Sequence, residues 1–249
     1  MKTKFSWIFY CLVSLLLSQS LSAAERFVTN ESNGFVWIQQ GKAYPILVDS
    51  REDKGVVRAV ANLQTDAGKV TGITPEIIHS VAGNRMLIIG SIENSSWIKQ
   101  LLKAGKINAA DLQGKREKYI LQMVKQPMEG VDEAVVIAGS DKRGTIYGIY
   151  ELSQQMGVSP WYFWADVPVE KHDIISIKEG IYTDGEPAVK YRGIFLNDEW
   201  PCLGNWAGDT FGGFNSKFYE TVFELVLRLK GNFMWPAMWN SAFYDDDPM

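Results

Sequence analysis

Short apolar runs alternate with amphipathic stretches between residues 44 and 157, and this alternation restricts the fold more than any other feature of the sequence. The runs YPILV (44–48), RMLIIG (85–90) and AVVIA (134–138) are typical of buried strands. A helical pattern follows each of them, so we expect short strands that share one sheet with helices packed on it. The sequence therefore predicts a small α/β domain.

Helix-start signals follow these apolar runs. Ser50 to Asp53 has the Ser-x-x-acid form of a capping box, and Ser95 precedes the second helical pattern. Gly139 to Gly144 has the G-x4-G outline of a phosphate-binding loop, but Thr145 stands where such a loop needs its lysine. We interpret this segment as a tight strand-to-helix turn with an aspartate at the helix start.

The last 60 residues or so predict a different unit. Tyr191–Asn197 is predicted as a strand, Asp198–Gly213 as a long polar loop, and an amphipathic helix then ends at Gly231 before a second strand, Asn232–Met234. A β-loop-α-β order with the long loop after the first strand is the repeat of a (β/α)8 barrel. A complete barrel takes about 250 residues, so residues 189–249 are expected to be its beginning only.

Between these two regions the sequence reads as a boundary. Residues 166–188 contain prolines, glycines and one short apolar run, Ile174–Ile177, which we interpret as an edge strand and turns. Beyond it, 14 of the 59 residues from Tyr191 onward are aromatic, about twice the 12% of the whole chain. The predicted organisation is a leader at 1–24, an N-terminal α/β accessory domain with its boundary segment at 25–188, and the truncated start of a TIM-barrel domain at 189–249.

The N-terminus has the order of a secretory signal peptide. Lys2 and Lys4 precede an apolar stretch from Phe5 to Leu17, and the small residues 22–24 form a cleavage region. The apolar stretch is short for a bilayer span, although an uncleaved anchor remains the alternative. We therefore expect a protein that is exported to the periplasm or the extracellular space and has no membrane contact after cleavage.

The charge balance argues against nucleic acid as a partner. Without Lys2 and Lys4, 23 basic and 29 acidic residues give a formal net charge of −6. The densest basic cluster is Lys115, Arg116 and Lys118, whereas a duplex-binding surface normally carries a basic stripe. A nucleic-acid partner is therefore not expected.

Cysteine and histidine usage gives no support for a metal centre. Cys202 is the one cysteine left after the leader, so no internal disulfide is expected. His79 and His172 are far apart and have no cysteine or histidine at ligand spacing. The sequence predicts neither a metal site nor a Ser-His-Asp triad, and both histidines are expected at the surface or at a domain boundary.

Polar and aromatic side chains follow the two predicted barrel strands. Asn197, Asp198 and Glu199 come directly after the first strand, at the end where barrel enzymes hold substrate. A solvated strand end, with Asp198 capping a turn, is the alternative. Trp235 and Trp239 follow the second strand, and an indole can stack on a sugar ring. Core packing is the expected role of Trp235, whereas Trp239 is left open between core packing and sugar contact.

Two long segments resemble one known family. The run KYRGIFLNDEWPCLGNWAGDTFGGFNSKFYETVFELVLRLKGNFMWPAMWNSAFYDDDP resembles the start of the catalytic barrel of glycosyl hydrolase family 115, the xylan α-1,2-glucuronidases. The preceding stretch GSDKRGTIYGIYELSQQMGVSPWYFWADVPV is similar to the end of the small α/β domain that precedes the barrel in this family. The resemblance implies an inverting exo-hydrolase that needs neither metal nor cofactor. Its implied substrates are glucuronoxylan and aldouronic acids, from which it removes α-1,2-linked glucuronic or 4-O-methylglucuronic acid.

The resemblance also implies roles for individual residues. It maps the sugar pocket onto Asn197 and Asp198, with Asp198 as a hydrogen-bond acceptor or water-positioning group in catalysis. Glu199 and Trp239 are further expected substrate contacts, and a homodimer is compatible with the full-length family. Later strands would carry the remaining acid and base, so the 249-residue chain is expected to be an N-terminal fragment without activity of its own. A non-catalytic carbohydrate-binding module and a structural secreted protein are the alternatives.

Overall fold

The structure is a computed structural model that describes residues 26–239 and 241–245; the predicted signal peptide lies outside the described residues. In chain order the strands are β1 (Val28–Thr29), β2 (Phe35–Gln39), β3 (Lys42–Ala43), β4 (Ile46–Val48), β5 (Ile77–Ile78), β6 (Arg85–Ser91), β7 (Tyr119–Lys125), β8 (Glu133–Gly139), β9 (Ile174–Ile177), β10 (Ile181–Tyr182), β11 (Gly193–Phe195) and β12 (Phe233–Trp235). The helices are α1 (Lys54–Thr71), α2 (Ser96–Lys103), α3 (Lys142–Gln155), α4 (Cys202–Phe211) and α5 (Ser216–Arg228). None of these helices is long and apolar enough to cross a membrane.

A six-stranded sheet in the order β10-β7-β8-β6-β4-β5 forms the centre of the N-terminal region. Strands β4, β5, β6 and β8 run parallel, and β7 and β10 extend the sheet in antiparallel pairing. Successive strand side chains enter opposite faces of the sheet. Along β6, Leu87 and Ile89 therefore join the apolar cluster formed with α1 and α3, while Met86 and Ile88 join the cluster formed with α2. The predicted α/β arrangement is confirmed.

Helix α1 begins later than the capping-box pattern predicted. Its N-cap is Asp53, whose carboxylate accepts a hydrogen bond from the backbone N–H of Gly55 (2.8 Å). The neighbouring Glu52 is buried and accepts bonds from the backbone N–H (2.8 Å) and the hydroxyl (2.9 Å) of Ser91 at the end of β6. The prediction of a cap at Ser50 is wrong, because the acidic residues of the motif bind the helix start and the adjacent strand instead.

The turn between β8 and α3 is confirmed as a close-packed strand-to-helix turn. Asp141 caps α3 and accepts a hydrogen bond from the backbone N–H of Gly144 (2.8 Å). A Cβ atom on Gly139 would lie 2.2 Å from the backbone nitrogen of Thr145, and one on Gly144 would lie 2.3 Å from the carbonyl oxygen of Lys118. The two glycines of the G-x4-G outline thus allow backbone segments to approach closely.

A second, four-stranded antiparallel sheet packs on the cluster that contains α1 and α3. Its order is β1-β9-β2-β3, and β9 pairs with β1 through Val28 and Ile177 and with β2 through Ile38 and Ile175. The prediction of an edge strand in the boundary segment is wrong for β9, because that strand lies between two others. The segment that follows supplies an edge through β10, which pairs with β7.

Beyond residue 190 the chain forms a β-α-α-β unit in which β11 and β12 pair in parallel. The loop predicted at Asp198–Gly213 contains helix α4, so that prediction is wrong over Cys202–Phe211. Gly204 and Gly208 lower the intrinsic helix propensity of this segment. Packing stabilises the helix instead, since Ala207 is buried in an apolar cluster with side chains of α5.

A buried ion pair fixes α5 on the N-terminal region. An Nη2 atom of Arg228 lies 2.8 Å from a carboxylate oxygen of Asp66 in α1, and both side chains are buried. The Arg228 Nε atom also donates to Glu224 (2.8 Å), and the guanidinium lies 4.5 Å from the ring centroid of Tyr150 in α3. Burial disfavours the charged guanidinium, but the attraction of the two carboxylates raises the pKa of Arg228 above its ordinary value.

A second buried carboxylate anchors the starts of β11 and β12. Glu117 accepts hydrogen bonds from Arg192 (2.8 Å), Arg143 (3.2 Å) and the side-chain amide of Asn232 (2.8 Å). Burial alone would raise the pKa of Glu117, but Asn232 and the two guanidinium groups outweigh it and lower that pKa. Because Arg192 and Asn232 directly precede the two strands, this carboxylate of the accessory region holds the amino ends of β11 and β12.

Candidate functional site

The carboxyl ends of β11 and β12 lie side by side and form the candidate site. The strands pair in register, with Ile194 opposite Met234 and Phe195 opposite Trp235. The backbone N–H of Leu196 continues the pairing by donating to the carbonyl oxygen of Trp235 (2.9 Å). Since parallel strands end at the same edge, residues 197–200 lie near residues 236–239 and 241–245, at the end that the sequence predicted.

The two faces of this small sheet differ sharply. Ile194 and Met234 pack on the cluster of α5, whereas Phe195, Phe233 and Trp235 are 54%, 46% and 52% exposed on the opposite face. The rings of Phe195 and Trp235 meet edge to face with their centroids 5.9 Å apart. The described residues leave this face of the sheet uncovered, so they do not provide the core packing expected of Trp235.

The three polar residues after β11 point in different directions. Asn197 and Glu199 are exposed, but Asp198 has 0% of its surface accessible. Both carboxylate oxygens of Asp198 accept from the backbone N–H of Trp239, at 3.1 and 3.0 Å, and one also accepts from the hydroxyl of Ser241 (3.0 Å). Contact between the Asp198 carboxylate and a sugar would thus require displacement of the segment that follows β12.

Trp239 combines a bound backbone with a free side chain. Its N–H is held by Asp198, while the residue is 69% exposed and its indole is available at the strand ends. The described residues do not bury this ring, and contact of Trp239 with a ligand stays a prediction.

Phe195 and Trp200 are exposed aromatic residues near the strand ends that the site prediction omitted. For Phe195 a signal existed, because Ile194 and Leu196 alternate with it along the strand and both sides of the strand are apolar. A parallel strand that is apolar on both sides is normally covered on both. For Trp200 no comparable signal exists, since it lies in an irregular segment before α4.

The described residues contain no group of three or more histidine, cysteine or carboxylate side chains arranged to bind a metal ion. His79 is exposed, and its Nδ1 atom lies 3.0 Å from the carbonyl oxygen of Val48. His172 lies 3.4 Å from Glu170 in the boundary segment, and Cys202 is exposed. These positions agree with the surface and boundary locations predicted for the two histidines.

Comparisons with known proteins connect both regions with glycoside hydrolases. The family model of glycosyl hydrolase family 115 matches residues 184–249, and that of the N-terminus of glycosyl hydrolase family 67 matches residues 38–152. Among solved structures, the family 115 4-O-methyl-α-glucuronidase BtGH115A, described as specific for decorated arabinogalactans, is 35% identical with a TM-score of 0.70. That match covers 82% of this chain and 26% of the glucuronidase.

More distant structures give weaker matches. A β-hexosaminidase of Streptomyces plicatus is 14% identical, with a TM-score of 0.47 over 81% of this chain and 31% of the hexosaminidase. The comparison with curated proteins gave no match.

The α/β region followed by a parallel strand pair with an aromatic and acidic edge is thus that of a glycoside hydrolase. Within that class, the chain belongs to glycosyl hydrolase family 115. It spans about a quarter of the length of the glucuronidase that it matches.

Proposed function

We propose that the protein is the N-terminal part of an α-glucuronidase whose sugar site lies at the carboxyl ends of β11 and β12. The observation that carries the proposal is the likeness to a family 115 glucuronidase, 35% identical over 82% of the chain. The exposed rings and polar side chains at these strand ends support it. Catalytic activity belongs to the whole enzyme, of which this chain corresponds to about a quarter.

The chemistry of the strand ends suits a pyranose ring. The indoles of Trp239 and Trp235 offer π faces to the C–H groups of a sugar, and both residues are more than half exposed. Asn197 and Glu199, which are also exposed, can bind hydroxyl groups by donating from the amide and accepting at the carboxylate. These four side chains are the proposed sugar contacts.

The open face of β11 and β12 supports a barrel continuation. In a (β/α)8 barrel the inward faces of the strands are packed by side chains from the other strands. Phe195, Phe233 and Trp235 form such an uncovered apolar face, while the opposite face is covered by α5. We propose that β11 and β12 are the first two barrel strands and that the remaining strands cover Phe195 and Phe233, whereas Trp235 stays open to the sugar at the carboxyl end of β12.

These strand ends lack one feature that a uronate substrate requires. Its carboxylate calls for a cationic partner, and arginine is the usual one. Residues 196–203 and 235–249 contain neither lysine nor arginine. An inverting reaction also needs two carboxyl groups about 6.5–9.5 Å apart. The cation and at least one of these carboxyl groups are therefore expected on other barrel strands, and the 249-residue chain is expected to bind sugar without hydrolysing it.

The catalytic part of the proposal is tested with a chimera. Residues 26–249 replace the matching segment of the related glucuronidase, and release of glucuronic acid is followed by ¹H NMR. We expect release with the β anomer formed first, as inversion requires, and a strong loss of activity in Trp239→Ala. A folded chimera without activity, or one that releases the α anomer first, would contradict the proposal.

The polysaccharide backbone is tested in the same assay. The resemblance implies glucuronoxylan, whereas the related glucuronidase is described as specific for decorated arabinogalactans. We propose glucuronoxylan and its aldouronic acids as the first substrates and glucuronate-decorated arabinogalactan as the second. The ratio of the two rates decides between them.

A non-catalytic carbohydrate-binding module is the second candidate, and the exposed rings at the strand ends favour it. Saturable binding of neutral xylo-oligosaccharides as tight as binding of aldouronic acids, together with an inactive chimera, would support this alternative. Preference of the chimera, which contains the remaining barrel strands, for the uronate-bearing ligand supports the glucuronidase.

A further inference from the structure

The carboxylate of Asp198 joins the two segments that leave the strand pair. Among the described residues, the bond from Leu196 to Trp235 is the last backbone hydrogen bond between the two strands. Two residues beyond Leu196, the carboxylate of Asp198 reaches across to the backbone N–H of Trp239 and the hydroxyl of Ser241. Both partners follow β12, so this side chain bridges the strand ends where the backbone no longer does.

The side chain suits this bridging task. An ionised carboxylate is an acceptor with two oxygens, and the Trp239 N–H lies within 3.1 Å of both of them. Bonds to a charged acceptor are stronger than those between neutral groups, and Asp198 is fully shielded from water. Its oxygens are therefore occupied by the protein, whereas the neighbouring Asn197 and Glu199 are exposed.

We infer that Asp198 is a positioning residue that sets the direction of the Trp239 indole. By holding the backbone N–H inward, it leaves the side chain of Trp239 turned out at the strand ends, where the residue is 69% exposed. The role of Trp239 as a sugar contact depends on the proposed function. The clamp, which consists of the hydrogen bonds from Trp239 and Ser241 to Asp198, does not depend on the proposed function. The clamp and the sugar role of Trp239 can therefore be disproved separately.

Hydrogen–deuterium exchange of the Trp239 amide measures the clamp in the 249-residue chain. We expect Asp198→Ala to accelerate exchange at this amide by at least about tenfold, since a bond to a buried charged acceptor is lost. Ser241→Ala removes one partner of the carboxylate and should accelerate it by about two- to fivefold. Asp209→Ala is the matched control and should leave the rate unchanged, because Asp209 is an exposed aspartate on α4.

Exchange of the β6 amides reports whether each variant is folded. If Asp198→Ala does not fold, Ser241→Ala and Asp198→Asn test the inference instead. Asp198→Asn keeps one acceptor oxygen and should restore part of the protection of the Trp239 amide from exchange. Unchanged exchange at Trp239 in the folded variants, within twofold of the original chain, would overturn the inference.

The Trp239 indole N–H signal in NMR links the clamp to ligand binding. With an aldouronic acid as the probe, this signal should shift in the original chain, and Asp198→Asn should retain more of the affinity than Asp198→Ala. If Asp198→Ala accelerates exchange at the Trp239 amide but the ligand does not shift the indole signal, the clamp is supported and the sugar role of Trp239 is rejected. A ligand shift with unchanged affinity in Asp198→Ala would keep the sugar site and reject the positioning role.

Discussion

Individual ion pairs join the N-terminal α/β region to the segment after residue 190. Among the residues that form them, Arg228 is the one whose substitution should lower the free energy of unfolding most. Arg228→Met leaves Asp66 buried without its main cationic partner, which lies 2.8 Å away in the original chain. We expect a loss of about 3–5 kcal/mol in the free energy of unfolding, measured by urea denaturation. Lys217→Met, an exposed position on α5, is the matched control and should change stability by no more than about 0.5 kcal/mol.

The double variant Asp66→Asn with Arg228→Met tests the reason for that loss. Since it removes both charges, it should recover part of the stability lost in Arg228→Met. A single variant within about 1 kcal/mol of the original chain would show that the pair does not hold α5.

Glu117 makes stability depend on pH at the acid end. Its pKa in the folded chain is lowered below the ordinary 4.5, so the unfolded chain takes up the proton first as the pH falls. The stabilisation by its charge is present above that ordinary value and is lost as the pH falls through the lower folded value. We expect the stability gap between the original chain and Glu117→Gln to be wide at neutral pH and to narrow in acid.

Urea midpoints measured at neutral pH and in acid test this expectation. Glu129→Gln, at an exposed carboxyl, serves as the control and should match the original chain at both pH values. A gap for Glu117→Gln that stays constant over this range would show that the charge of Glu117 contributes nothing.

At the scale of elements, periodicity predicted the local structure and missed the non-local pairing. Strands β6 and β8 and helices α1 and α3 came from apolar runs and helical faces that short windows of sequence contain. The interior position of β9 depends on strands at the other end of the domain, which no local pattern reveals. Helix α4 was missed because its glycines lower its propensity and its stability comes from packing.

Close backbone approach controls the pairing of β11 with β12. A Cβ atom on Gly193 would lie 1.7 Å from the carbonyl oxygen of Phe233, which cannot move without breaking the strand pair. We expect Gly193→Ala to destabilise the chain by about 2–3 kcal/mol in urea denaturation.

A second glycine provides the control for that substitution. Around Gly208 in α4, no atom of another described segment lies within 4 Å of the position that a Cβ atom would take. Gly208→Ala should therefore be neutral or stabilise the chain by up to about 1 kcal/mol through helix propensity. Equal losses in the two variants would contradict a specific steric role for Gly193.

At the scale of the molecule, the accessory region and the strand pair are joined by buried polar contacts. Asp66, Glu117 and Glu151 bind Arg228, Arg192 and Lys230 respectively, across the predicted boundary. We expect one cooperative unfolding transition for the whole chain and a lower midpoint for a chain that ends at residue 188, because its carboxylates lose their partners. An equally stable shortened chain, with a separate transition for residues 189–249 in the whole chain, would contradict this coupling.

The location of the candidate site could be predicted from sequence, but its internal geometry could not. Polar residues directly after an apolar strand indicated the strand end, and parallel pairing brought both ends together. The burial of Asp198 depends on contacts with Trp239 and Ser241, about 40 residues further along the chain. Neighbouring residues such as Asn197 and Asp198 thus differ completely in exposure, which their residue types do not indicate.

The central claim is that these strand ends bind a uronate-bearing sugar, and the indole N–H signals of the tryptophans test it most directly. Titration with an aldouronic acid should shift the signals of Trp239 and Trp235 saturably. The signal of buried Trp37, whose indole donates to the carbonyl oxygen of Tyr44 (2.8 Å), should stay fixed as an internal reference. Unchanged signals at Trp239 and Trp235, or shifts confined to other tryptophans, would contradict the claim.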